Sequence, residues 1–515
     1  MPEHGGRKSR PTTAQRRFTR LAAAAMALAL LAVPSRVLGQ DRVLGRGGWC
    51  WFADPRAVHY AGRTYAGWLD WGGHVNVGAY DEHSGRRVTV ALFGHVDDHA
   101  SPTLSVRPDQ RLLVFYSQHD GRHILYRIST RPLDITSWGP TLRLPTRHLG
   151  RGGNTYPSPL RLPAEGNRLW VFWRGTDWSS FFSIQGRSGR WSSPRRMIRV
   201  PGQRPYVKYA TDGRGTIHMA FTRSHPREAP TGIYYAKYRH GAVYRASGRR
   251  IRTVARLPFS PREADKVYDA RRHGASGWVH DIAVGPDGRP VIVYAVIHSR
   301  SRHDYRYARW TGRRWADHLV AGAGGTISIT PREWGYSGGI TLDKRDPSIV
   351  YLSRKIRGIN EIERWRTRNG GRSWSHRALT RGLRFGAYRP VVPLRMSAGD
   401  GEQVLWTQGY YGTYRTFRTW VHLHSPGPAP PALVAFQATR PAGGPPSEVA
   451  LDASVLQPGP SPPVSLVWRL GDGATAFGPS VRHRYARPGD YFPRLEVRDA
   501  GGLESVYVRE IRATD

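Results

Sequence analysis

Histidine, tyrosine and arginine supply the chemistry available to this sequence, and they fall at matching places in a repeat. Each repeat is an apolar strand, a polar turn and a second strand ending near an aromatic residue or Arg. It runs from Ser101 to Gly121, Tyr156 to Gly175, Tyr206 to Ser224, Val279 to Ile297, Ser337 to Lys355 and Arg389 to Gly409. Hairpin partners run antiparallel, so the residue before the first strand and the residue after the second share one end of the hairpin. Before the first strands stand His99, Tyr156, Arg204 with Tyr206, His280, Tyr336 and Arg389. After the second strands stand His119 with Asp120, Arg174 with Asp177, Arg223 with His225, His298, Arg354, and Tyr410 with Tyr411. The opposite turns, such as Asp212-Gly213-Arg214 and Pro286-Asp287-Gly288, are ordinary turn sequences.

An end that gathers these groups can neutralise a carboxylate with Arg, move protons with His near neutral pH, and use Tyr as acid or base beside cations. β-Elimination at a uronic acid needs those parts. A neutralised carboxylate acidifies the C5 proton, a base removes it, and an acid assists the departing 4-oxygen. No metal or cofactor is required for that route, although a structural Ca²⁺ or Zn²⁺ ion bracing the fold stays open. A glycoside hydrolase needs two carboxylates at suitable separation. Asp98, Asp120, Asp177, Asp269 and Asp281 could contribute, but the basic groups outnumber them. A sialidase would need an Arg triad and a Tyr nucleophile, and no Phe-Arg-Ile-Pro-like opening is present. A non-catalytic binder of acidic glycans is the third reading. Each residue also has a structural alternative: His99 a turn residue, His119 a solvated loop residue, Tyr206 a core aromatic, Arg223 a solvent-facing cation.

The elements that must position these residues are β-strands. The chain is rich in Trp, Tyr, Val and Gly, and its short apolar runs end in Gly, Pro and Asp turns. Repeats spaced roughly 50 to 70 residues apart, each a small antiparallel sheet, predict an all-β propeller. With a less regular copy from Gly62 to Phe93, the expectation is seven blades, with six the alternative. Trp49 to Tyr60 is expected to supply the outer strand that closes the ring. Thr367 to Trp374 resembles an Asp-box turn with Asn369 at the Asp position, a structural feature of the rim.

The flanks read differently. Residues 1–39 form a signal peptide: a basic start containing Arg7, Lys8, Arg10, Arg16, Arg17 and Arg20, an apolar run from Leu21 to Val33, and a cleavage site near Gly39. Arg16-Arg17-Phe18 hints at a twin-arginine signal. The expected mature protein is secreted and soluble. The apolar run is too short to span a bilayer comfortably. Its single cysteine, Cys50, permits no intrachain disulfide. Lys and Arg number 78 against 38 Asp and Glu, a net charge of +40. That charge favours polyanions. It is spread along the chain without a nucleic-acid-binding motif, which argues against DNA or RNA and leaves an anionic membrane, an acidic polysaccharide or a mere Arg-rich compositional habit.

The propeller is expected over residues 40–424, a Pro-rich linker over 425–432, and a second unit over 433–515. Trp468 to Ala474, His483 to Phe492 and Leu495 to Leu503 make this unit similar to PKD domains, immunoglobulin-like β-sandwiches that serve as spacers or as modules contacting glycan or protein. The propeller resembles the BNR-repeat-containing family of secreted propellers. The resemblance rests on Trp49 to Val58, Asp97 to Pro102, Tyr116 to Asp120, Arg204 to Ala210, Val291 to Ala295, Tyr305 to Trp310 and Ile359 to Trp365. That family includes polysaccharide lyases acting on ulvan and on rhamnose–glucuronate linkages, and a hydrolase group. The resemblance implies His99, His119, Tyr206 and Arg223 as catalytic residues, with Tyr156 and Arg204 competing for the last two roles. Arg204, Tyr156, Arg174, His225, His280 and Arg389 are the expected substrate contacts.

Overall fold

The innermost hairpins are buried on both faces, because each sheet lies between two others. Leu112–Ser117 and Pro290–Ile297 are buried at every position, which is why they read as apolar runs rather than alternating strands. In this computed structural model, residues 40–514 are described, except 95–96, 150–151, 229, 398 and 442–446. The signal-peptide expectation for residues 1–39 lies outside the described residues.

Among the described residues, seven antiparallel sheets follow one another along the chain. Their innermost strands are Ala57–Tyr60, Thr103–Val106, Thr155–Leu162, Val207–Thr211, Ser276–Val284, Ile340–Leu342 and Ala387–Val391. Six sheets are built from consecutive segments. The seventh takes its outermost strand from the start of the described chain, where Gln40–Arg46 pairs with Thr416–Ser425. The closing strand therefore lies upstream of Trp49–Tyr60, where the sequence placed it. An outer strand shows a face to solvent, and Trp49, Cys50, Trp51, Phe52 and Ala53 in succession are too apolar for that role.

Trp49 to Arg56 instead crosses the channel between the sheets as a plug. Phe52 packs on Tyr156, Tyr206 and Trp278, with ring centroids 5.6, 4.8 and 5.9 Å away. Trp51 packs on Tyr336 and Tyr411. The buried Arg56 guanidinium fixes the plug from below, donating to Ser101 Oγ at 2.6 Å and to the Cys50 carbonyl at 3.0 Å. These partners belong to six of the seven sheets. Burying each large apolar side chain of the plug contributes about 1.5–3 kcal/mol.

The C-terminal unit is a sandwich around Phe436, Trp468, Tyr485 and Tyr507. It is not tethered by a loose linker. Its strand Glu504–Arg509 pairs in parallel with Arg87–Leu92, the outer strand of the first sheet, from Ser505↔Arg87 to Arg509↔Ala91. One eight-stranded sheet thus runs through both units. Arg127 and Glu510 form a buried ion pair across the seam at 2.5 Å. The Pro-rich stretch is pinned as well: Arg42 donates to the Ser425 carbonyl at 2.5 Å, and Tyr80 to that of Pro428. Thr367 to Trp374 forms the rim turn, with Asn369 Oδ1 accepting from the Ser373 N–H at 2.9 Å. Among the described residues, no helix is long and apolar enough to cross a membrane.

Candidate active site

Two histidines from the two ends of the second sheet's inner hairpin stack face to face. The His99 and His119 ring centroids lie 3.9 Å apart, with planes inclined by 6°. Asp97 holds both. Its Oδ1 accepts from His99 Nδ1 at 2.8 Å and its Oδ2 from His119 Nδ1 at 2.9 Å. Asp97 also caps the short turn Asp98–Ala100, accepting from the His99 backbone N–H at 3.0 Å. Asp98 Oδ1 lies 2.9 Å from His99 Nδ1. Asp98 is braced in turn by Arg389 Nη1 at 2.8 Å and the Tyr411 hydroxyl at 3.1 Å.

This wiring separates the two rings in proton affinity. Burial opposes a charge on His99, but the Cys50 sulfur, Asp97 and Asp98 outweigh it and hold the imidazole protonated well above the ordinary range. Burial pushes His119 down; Asp97 opposes the shift and the neighbouring His99 charge reinforces it. Asp97 is buried, yet its two histidines keep it ionised far below the usual carboxylate range. An ionised Asp97 accepts from both rings, so each carries its proton on Nδ1 and leaves Nε2 for other partners. On His99 that nitrogen is an N–H donor; on His119 it is a lone pair, 3.7 Å from Asp120 Oδ2. Such a pair, pushed apart by its surroundings, is the arrangement acid–base chemistry requires.

Three further groups surround the pair. Tyr156 lies 5.6 Å from His99 and Tyr206 lies 6.1 Å from Tyr156, centroid to centroid. Arg174 sits over both tyrosines, at 4.7 and 5.6 Å. It donates to the Tyr206 hydroxyl at 3.2 Å and to Asp120 Oδ1 at 3.0 Å. Burial disfavours the Arg174 charge, but the tyrosines and Asp120 more than restore it. Burial raises Tyr156 well above an ordinary phenol.

The backbone is strained at the same place. Asp120, Tyr156, Trp178 and Arg389 have φ of 52°, 64°, 67° and 55°. That region is uncommon for side-chain-bearing residues and costs on the order of 1–3 kcal/mol each. Tyr156 and Arg389 sit where the register of their hairpins shifts, a bulge that re-aims the side chain into the channel.

Other expected contacts take varied places. His225 is buried against Trp278, 4.5 Å away and edge-on, and against Tyr206 at 5.6 Å. Burial first, then Arg227, Arg204 and Arg174, push its pKa well down. Its Nδ1 accepts from the Arg227 N–H, and its buried Nε2 has no partner among the described residues. Arg204 pairs with Glu228 at the rim and lies over Trp178. Arg223 is exposed, and its recorded bond is a backbone one, to Thr231 Oγ1; the structure does not bring it to the pair. Arg389 is buried, 3.7 Å from Trp51 and 4.3 Å from Tyr411, and its Nη1 bonds Asp98.

His280 departs furthest from its expected place. The fifth inner strand already begins at Ser276, so His280 lies within it, at a register shift. It lines a cavity of about 720 Å³ with Lys208, Asp281, Lys344 and the turns Asp212–Arg214 and Pro286–Gly288. Those turns mark the far end of the hairpins, so this cavity lies across the plug from the histidine pair.

Sequence reading missed Asp97 as the shared anchor, and it missed Tyr414 and Arg415. The seventh sheet's long hairpin, Val404–Thr413 and Thr416–Ser425, brings its tip over the pair. Tyr414 meets His99 at 4.9 Å and His119 at 5.6 Å, both edge-on, and Arg415 Nε reaches Asp97 Oδ2 at 3.3 Å. Asp97, His99 and His119 also have metal-binding spacing, as do Cys50, Asp98 and His99. In the first set the Nδ1 atoms already bond Asp97, so an ion there would compete with those bonds.

A family model described as "BNR repeat-containing family member" matches residues 63–322, and a PKD domain model matches 429–513. No curated protein matches the chain. Among solved structures, a polysaccharide lyase of family PL25, an ulvan lyase, is 14% identical, with a TM-score of 0.58 over 76% of this chain and 95% of its own. The polysaccharide lyase Uly1 is 13% identical, with a TM-score of 0.50 over 75% and 99%. At these identities the likeness is one of fold.

Proposed function

The chain belongs to the BNR repeat-containing family, and from that premise we propose that it is a secreted polysaccharide lyase cleaving an acidic, uronic-acid-containing glycan by β-elimination. One observation carries the reading: a stacked histidine pair on one carboxylate, its members pushed apart in proton affinity by their surroundings, beside two tyrosines and a buried arginine. The fold shared with two polysaccharide lyases supports it.

In this mechanism the His99 imidazolium and Arg415 neutralise the substrate carboxylate. This lowers the pKa of the C5 proton. His119 Nε2 takes that proton, and the C5–H electrons become the C4=C5 double bond. The bond from C4 to its bridging oxygen breaks. The departing oxygen receives the Tyr206 hydroxyl proton, and Arg174, already bonded to that hydroxyl, stabilises the phenolate left behind. One water-free cleavage yields an unsaturated end and a new reducing end. Tyr206 keeps the role expected from sequence, and Arg174, bonded to its hydroxyl, takes the place expected for Arg223, which is exposed.

The test is ultraviolet absorbance of the unsaturated product while the mature protein acts on a panel of uronic-acid polysaccharides. A rise with the wild type, lost in His119→Ala, is expected. New reducing ends without absorbance would assign a hydrolase instead, and neither signal would leave a glycan binder.

A further inference from the structure

We propose that a second glycan-binding strip, distinct from the cleavage point, runs along the seventh sheet from Tyr410 and Arg418 to Trp420; the inference rests on the acidic-glycan reading above. Cross-strand register places its members on one face: Arg418 is opposite Tyr410, and Trp420 is opposite Arg46. Residues Arg418 and Trp420 are two apart on one strand, so their side chains share that face. Trp71 joins from the first sheet, with Trp420 at 5.5 Å in an edge-on contact.

The cations interleave with the indoles. The Arg46 guanidinium lies 5.1 Å from the Trp71 ring and 5.3 Å from Trp420, and Arg418 lies 5.4 Å from Trp71. Among the described residues, neither Arg46 nor Arg418 has a carboxylate within ion-pairing distance, and Arg46 Nε is buried without a hydrogen-bond partner. Tyr410 is 46% exposed despite its size. Arginines with no internal counter-charge, held flat by aromatic rings, suit a ligand that alternates carboxylates with apolar ring faces, as a uronate glycan does.

The strip begins where the cleavage site ends. Arg415 touches Asp97, and Trp420 lies five residues further along an extended strand, about 17 Å away. Several sugar units are needed to cover that distance. Arg46 and Trp71 also wall a cavity of about 190 Å³ that continues onto the C-terminal sandwich at Phe436.

The experiment compares kcat/KM on a cleaved polysaccharide with kcat/KM on the shortest oligosaccharide of the same glycan that is still cut. Wild type, Arg418→Ala and Trp420→Ala are measured; Arg418 is exposed, so its variant remains informative if loss of Trp420 disturbs folding. Arg418→Ala is expected to raise KM on the polymer roughly 10-fold, the equivalent of one 1.4 kcal/mol step, and to leave the short substrate unchanged. Equal effects on both substrates, or none on either, would overturn the strip while leaving the lyase reading intact. If no glycan is cut, the lyase reading fails, and retention on immobilised polygalacturonate decides the strip alone. Weaker retention of Arg418→Ala supports it, and unchanged retention overturns it.

Discussion

The two ends of the channel hold similar residue types in opposite conditions. On one side of the plug, His99, His119, Tyr156, Tyr206 and Arg174 crowd a shallow face with strained backbone and shared hydrogen bonds. On the other, His280, Lys208 and Lys344 line a roomy cavity in which Lys208 is tied to Asp54 and Lys344 to Asp281. Volume favours the second end, whereas arrangement favours the first. What makes a histidine useful is a neighbour that fixes its tautomer and sets its charge. Asp97 does this for two rings, and among the described residues no side-chain hydrogen bond does so for His280.

Asp97→Asn should separate the ends most sharply. It keeps the shape but removes the charge that both histidines share. Activity should fall on the order of 10²- to 10⁴-fold, with the far cavity untouched. In the wild type, kcat/KM should rise as His119 loses its proton, below the ordinary histidine pKa, and fall again at alkaline pH as His99 loses its own. With Asp97 neutral, His99 holds its proton less tightly, so the alkaline limb should move to lower pH. An unmoved alkaline limb would remove His99 from the active protonation scheme.

Phe52→Ala attacks the division itself. Loss of this buried ring should cost about 3–5 kcal/mol of stability, read as a lower unfolding midpoint in urea. It should also reduce activity, because Tyr156 and Tyr206 rest on the ring. Full activity in the folded variant would show that the plug does not position the tyrosines.

His280→Asn should register in acid stability and not in rate. Burial, then Lys208, His303 and Arg389, push the His280 pKa down to about 3, whereas the unfolded residue titrates near 6.5. Between those values the unfolded chain binds the extra proton, so His280 makes the wild type lose stability as pH falls from about 6.5 toward 3. Removing it should leave a shallower fall in melting temperature from pH 7 to pH 4. An identical fall would mean that His280 already titrates freely.

Much of this was legible in the chain. Hairpin ends twenty residues apart on the same repeat put His99 and His119 together, and the apolar runs marked the strands. The C-terminal motifs around Trp468 and Tyr485 marked the sandwich. Other features depend on pairings that sequence does not encode locally. His280 and Arg389 lie within their strands rather than before them, because a bulge shifts where each strand begins relative to its apolar run. Tyr414 and Arg415 come from a hairpin far along the chain, and only the closed ring carries them to His99. Asp97 left a trace, since a carboxylate two residues before a histidine can cap a turn and hold the ring at once. The parallel docking of Glu504–Arg509 left none, because its outward-facing strand reads like any edge of a sandwich.

The most direct test of the account is the initial rate of unsaturated-product formation by His119→Ala and His280→Asn, side by side on one uronic-acid glycan. His119→Ala should lose about 100-fold or more, while His280→Asn should stay close to the wild type. An active His119→Ala beside an inactive His280→Asn would place the chemistry in the large cavity and contradict it.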